Sequence, residues 1–173
     1  LIGVNIDVTS LVGRYMGAKQ PDTAHRATMS ALKLATIYSL IVLVTFVTLP
    51  GVLVGIFEPK PGDGQTREAM ETFRQALPLA VFMVRLVSIY IFADAVGIVF
   101  SGALRGAGDT FATMCLSVST HWLLVGVVFP MVKVFGAPPR PAWLTAVTLI
   151  WVIGLVFYAR YRTGRWRRIK VVE

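Results

Sequence analysis

The sequence predicts an all-α protein: a polytopic membrane helix bundle with four full transmembrane helices and the end of a fifth. Three observations predict it. Of 173 residues, 55% are hydrophobic and only 15% charged, where a soluble domain carries roughly 25% charged residues. Mean hydropathy is +0.69. Three windows of 24, 23 and 19 residues (Leu34–Phe57, Thr110–Val132 and Pro141–Ala159) hold no Asp, Glu, Lys or Arg, and each is long enough for a transmembrane helix. This composition excludes an ordinary soluble enzyme and a disordered chain. The net charge of +8 would suggest nucleic acid on a soluble chain. On an apolar chain it instead places basic residues at the cytoplasmic ends of the spans. The single cysteine, Cys115, excludes an intramolecular disulfide and a cysteine-rich metal site.

The elements follow in order. Residues 1–16 are apolar but hold Asn5 and Asp7. With no basic n-region and no cleavage site they are not a signal peptide, and they read as the tail of a helix that begins upstream. Gly17–Thr23 is a turn, with Asp22 or Thr23 expected to cap the next helix. A span covers about 24–57, and Pro50-Gly51 either bends it or ends it. Glu58–Arg67 is a Pro/Gly-rich polar loop. Ala69–Leu77 is an interfacial lead-in to a span at 79–104, with helix expected from about residue 70. That span carries Arg85 and Asp94 on opposite faces, and Arg85 is expected to snorkel outward. In the turn at Arg105–Asp109, Gly106 and Gly108 permit a tight reversal and Asp109 can cap the following helix. Arg105 and Asp109 read as turn formers and charge anchors rather than ligands. Spans at 110–135 and 142–159 follow, separated by the rigid loop Gly136–Pro141; helix is expected on to about 162. The basic tail 160–173 interleaves Trp166 with arginines. Directly after a span, it suits anionic lipid headgroups better than nucleic acid.

Alternating the spans across a membrane puts eleven basic residues on one side and five on the other, with Arg85 inside a span. The richer side should be cytoplasmic. The C-terminus and the Arg105–Asp109 turn are therefore expected on the cytoplasmic side of an inner or plasma membrane.

Asp94 is the central candidate for function. It lies roughly 15 Å from the end of its helix at 1.5 Å per residue. A carboxylate at that depth must face protein or water. Tyr90, Gly97 and Ser101 share its face. A carboxylate beside a phenol offers hard oxygens to a small cation such as Na⁺, or an acceptor for a proton. The bland alternative is a buried Asp that holds helices together. His121 and Asp7 come out at roughly 16 Å and 13 Å by the same rise. The three groups would form one polar layer suited to a proton or sodium relay. His121 alternatively just donates to a nearby carbonyl or to Ser117. There is no P-loop, GxGxxG, HExxH or CxxC motif, so neither enzyme activity nor a bound cofactor is expected.

Two passages resemble a known family. Val8–Ala18 (VTSLVGRYMGA) is similar to the LVGxxxGA segment of the multidrug and toxic compound extrusion (MATE) transporters. Asp94–Thr110 (DAVGIVFSGALRGAGDT) resembles that family's acidic mid-membrane residue followed by a cytoplasmic LRGxxD turn. Trp122 and Pro130 in the next helix fit as well. The resemblance, to the NorM-like branch, implies a partial second lobe of a two-lobe transporter: the end of helix eight, then helices nine to twelve. It implies that Asp94 belongs to a cation-coupling site. Asp7 departs from it, standing where the family has a small neutral residue. The function so implied is a Na⁺- or H⁺-coupled antiporter exporting amphipathic organic compounds. Its partners would be lipids, the missing N-terminal lobe and helix seven, and small organic substrates, with no nucleic acid. The alternatives are a lipid-linked saccharide flippase and a non-transporting membrane subunit that needs a partner lobe.

Overall fold

The structure, a computed structural model, describes residues 1–59 and 67–169. It is a helical bundle, with no strand among the described residues. The elements are α1 (Ile2–Gly17), α2 (Pro21–Thr48), α3 (Pro50–Gly55), α4 (Arg67–Gly106), α5 (Thr110–Lys133) and α6 (Pro139–Arg162). A short 3₁₀ turn follows at Arg165–Arg168. Helices α2, α4, α5 and α6 are long and apolar enough to cross a membrane. The polar loop read at Glu58–Arg67 falls mainly on residues 60–66, and the basic tail ends on 170–173; both stretches lie outside the described residues.

Two local features differ from the sequence expectation. The segment expected as one span over 24–57 is two helices. Pro50 disfavours helical geometry in the residue before it, so α2 ends at Thr48 and Leu49 adopts φ −121°. Pro50 then starts α3, where its missing N–H is harmless. Neither Asp22 nor Thr23 caps α2, whose N-cap is Gln20 with Pro21 at the first helical position. Helix α4 runs through the lead-in without a break and tolerates Pro78 inside it. Its 40 residues make about 60 Å at 1.5 Å per residue, twice a bilayer core of about 30 Å. The turns carrying Glu68, Glu71 and Arg74 therefore lie outside the hydrocarbon.

Helix α4 is the centre of the bundle and uses a different face for each neighbour. Val8, Val12 and Met16 of α1, one turn apart, bury against Phe100, Ala103, Leu104 and Ala107. Ala95 and Val99 meet Ala35 of α2. Ala93 and Gly97 meet Gly154 of α6 so closely that a Cβ on Gly154 would lie 3.0 Å from the Ala93 carbonyl oxygen. Small residues let helices approach in lipid, where no hydrophobic drive brings them together. Helix α5 is peripheral, with Thr113 its one buried residue. Trp122 and Phe129 stand exposed along it, as suits a helix that faces lipid or another part of a larger protein.

Candidate functional site

A cavity of about 850 Å³ opens between α4, α5 and α6. Tyr90, Asp94, Gly97, Ser101 and Arg105 line it from α4. Helix α5 supplies Thr113, Ser117 and His121, and α6 contributes the apolar wall of Ile150, Ile153 and Phe157. The volume is that of a small-molecule site, with a polar stripe on α4 and α5 facing the apolar wall of α6. The α4 stripe arises from helical periodicity: positions 90, 94, 97, 101 and 105 are three or four apart and fall on one side. Asp94 is half-buried and twelve residues from the end of α4, about 18 Å along the axis. The close approach of Gly97 to Gly154 lies one turn from it and holds α6 against α4 at that depth.

His121 reaches the same cavity from α5. Its Nδ1 lies 2.7 Å from the Ser117 carbonyl oxygen. A carbonyl only accepts, so Nδ1–H is the donor in this contact. Asp7 does not line this cavity. It stands exposed on a separate groove between α1 and α2, with Ser10, Ala27 and Ser30. Of the three groups read as one layer, the fold brings Asp94 and His121 together and sets Asp7 apart. Arg85 is exposed on α4 and is not among the cavity residues.

The turn after α4 does more than reverse the chain. Gly108 is the residue whose φ of +86° the reversal needs. Gly106 serves packing instead: a Cβ there would collide with the Thr9 backbone of α1. Asp109 occupies the N-cap of α5 but makes no side-chain cap. Its carboxylate accepts two hydrogen bonds from Arg160, at 2.8 Å from Nε and 3.0 Å from Nη2, which ties the turn to the end of α6. Arg105 donates from Nη2 to Asn5 Oδ1 at 2.8 Å. Asn5 Nδ2 donates to the Ile98 carbonyl at 2.6 Å, and Thr9 Oγ1 lies 3.1 Å from the Gly102 carbonyl. Asn5 and Thr9 thus tie α1 to the back of the cavity helix. Sequence reasoning gave these two residues no role. The signal was present in Gly102 and Gly106, four apart, a small-residue spacing typical of helix contacts in membranes.

At the same end of the bundle, His25 Nδ1 and the Tyr161 hydroxyl are 2.9 Å apart, and Arg167 reaches Asp22 at 3.3 Å. The start of α2, the α4–α5 turn and the end of α6 therefore lie together, as the alternation of spans requires. Among the described residues, no group of three or more His, Cys, Asp and Glu side chains is placed to hold a metal ion.

The family model MatE matches residues 1–132. A probable multidrug resistance protein NorM of Thermotoga maritima is 23% identical over 171 residues, covering 98% of this chain and 34% of the relative. The same protein of Mannheimia succiniciproducens is 26% identical, covering 93% of this chain and 33% of the relative. The uncharacterized transporter YisQ of Bacillus subtilis is 23% identical, with 90% and 32% coverage. The chain spans about a third of the length of the curated relatives it matches. No solved structure matches significantly.

Proposed function

Because the chain belongs to the MatE family of multidrug and toxic compound extrusion transporters, we propose that it forms part of an antiporter that exports amphipathic organic compounds in exchange for Na⁺ or H⁺. One observation carries the ion-coupling part: Asp94 and Tyr90 stand one turn apart on a cavity sized for a small molecule. A carboxylate with a phenol oxygen beside it suits a dehydrated Na⁺, and the carboxylate alone suits a proton. A cationic substrate in the same cavity meets the same charge, so ion and substrate exclude each other. The ion drives the cycle by binding one of two conformations better than the other. The apolar wall and the Met114 thioether adapt to varied organic shapes. Nothing in this cycle makes or breaks a covalent bond, so the reading includes no enzyme activity. The excess of basic residues at the end that carries the α4–α5 turn supports a cytoplasmic position for that end, on a plasma or inner membrane. A flippase of lipid-linked saccharides would need cations deep in the cavity to meet phosphate; the deep charge here is Asp94.

The test is dye efflux from proteoliposomes holding the complete transporter, under an imposed Na⁺ or pH gradient. Asp94→Asn keeps the shape and removes the ionisable group. Gradient-driven efflux should fall to background in the folded variant. Gradient-driven efflux at the unsubstituted rate would overturn the assignment.

A further inference from the structure

Beyond the cavity, the segment after α6 presents a second surface. Gly164, at φ +68°, turns the chain off the α6 axis, and the 3₁₀ turn Arg165–Arg168 folds back onto the bundle. Trp166 holds it there. Its side chain is 2% exposed, its ring stacks on Tyr161 at 4.9 Å, and its Nε1–H donates to the Tyr161 carbonyl at 3.0 Å. Tyr161 is itself fixed by His25 and packs on Phe100. This tryptophan is part of the protein interior and is not available to insert between lipids or to stack on a base.

The arginines around it divide into two kinds. Arg167 is engaged by Asp22 and lies over the Trp166 ring, and Arg160 is engaged by Asp109. Arg165 and Arg168 are exposed, and their guanidinium groups have no hydrogen-bond or ion-pair partner among the described residues. The two carboxylates that meet arginines at this end, Asp22 and Asp109, are already taken. Among the described residues, the surface is therefore an excess of fixed positive charge with no further counterion. Its height is set by α6, whose charge-free run ends at Ala159. Arg165 and Arg168 follow within nine residues on a turn that doubles back, so they stand where hydrocarbon gives way to headgroup.

We propose that Arg165 and Arg168, held in place by the buried Trp166, form a binding surface for the phosphate headgroups of anionic phospholipids in the leaflet on this side. A guanidinium pairs with a phosphate by two parallel N–H···O bonds. A docked turn presents two such forks without the entropy loss that ordering a free tail would add. Trp166 is a positioning residue: it touches no lipid and sets where the arginines stand.

The test uses the complete transporter in phosphatidylcholine vesicles containing 10% spin-labelled phosphatidylglycerol, an order-of-magnitude choice of about one lipid in ten that keeps the surface potential low. The readout is the preference of the labelled lipid for the protein boundary over phosphatidylcholine. The unsubstituted protein should show a preference that falls about fivefold per arginine removed in Arg165→Gln and Arg168→Gln, with no loss of stability because neither side chain has a partner among the described residues. Trp166→Phe keeps much of the docking and should keep the preference, while Trp166→Ala should lose it with both arginines still present. An unchanged preference in the double Arg165→Gln/Arg168→Gln variant overturns the proposal. So does displacement of the labelled lipid by millimolar glycerol phosphate or by an RNA duplex, which would make the surface a site for free phosphate or nucleic acid. None of these outcomes depends on whether Asp94 couples ions.

Discussion

Gly106→Ala tests how the bundle is held together. The added Cβ would lie 3.1 Å from both the Thr9 Cα and its carbonyl carbon, and closer still to the carbonyl oxygen. Carbon contacts settle at about 3.5–4.0 Å, and the obstacle is backbone, so α1 must move away from α4 by roughly 1 Å. Overpacking of this kind costs about 1–3 kcal/mol. The shift also strains Asn5 to Ile98, Asn5 to Arg105 and Thr9 to Gly102, at about 0.6 kcal/mol for each interhelical bond in a membrane protein. Replacing Gly by Ala inside a helix returns up to about 1 kcal/mol. The net loss is about 2–4 kcal/mol. Equilibrium unfolding of the complete protein in detergent measures it, with Gly126→Ala as the control. A Cβ at Gly126, also within a helix, meets nothing within 4 Å, so that variant should be neutral or slightly stabilised. Equal stability of the two variants would refute the close contact of α1 with α4.

Three further outcomes follow from the same geometry. Arg160→Ala leaves the nearly buried Asp109 carboxylate (side chain 9% exposed) without its two-pronged partner, and should destabilise by about 2 kcal/mol, less than a fully buried pair because Arg160 is partly solvated; a double-mutant cycle with Asp109→Asn should recover a coupling of about 1–2 kcal/mol, and additive effects would contradict the pairing. Trp166→Ala removes the ring that docks the tail, so limited trypsin digestion should cut after Arg165, Arg167 or Arg168 at least tenfold faster, at about 1.4 kcal/mol per factor of ten in local opening; an unchanged cleavage rate would mean the tail is held otherwise. Tyr90→Phe removes one neutral oxygen from the proposed ion site, and the ion concentration for half-maximal efflux should rise about fivefold, equivalent to one hydrogen bond of about 1 kcal/mol, with maximal rate kept.

Much of this molecule was legible in its sequence. The spans announced themselves because hydrocarbon excludes charge, and a run without Asp, Glu, Lys or Arg is a direct physical signature. The Asp94 stripe was legible for a related reason: helical periodicity alone puts Tyr90, Gly97 and Ser101 beside it. What stayed hidden depends on contacts far apart in the chain. Asn5 and Ile98 are 93 residues apart, Asp109 and Arg160 are 51, and His25 and Tyr161 are 136. Asp109 has the chemistry of an N-cap and sits at the cap position, but a guanidinium within reach outbids the local N–H groups for its oxygens. Trp166, flanked by arginines, has the pattern of an interfacial anchor; only the fold shows that Gly164 turns it inward. Depth along a helix does not fix direction around the bundle, and the groove that Asp7 lines belongs to α1 and α2.

The central claim is that one cavity binds the exported compound and the driving ion in turn, through Asp94. Ion movement measured together with dye movement tests it most directly. Proteoliposomes holding the complete transporter are supplied with a cationic dye gradient and no ion gradient, and the Na⁺ or H⁺ carried the opposite way is recorded per dye molecule. The account predicts ion counterflow that tracks dye flux in the unsubstituted protein, and none above the passive leak in Asp94→Asn. The same ion-to-dye ratio in both proteins would contradict it.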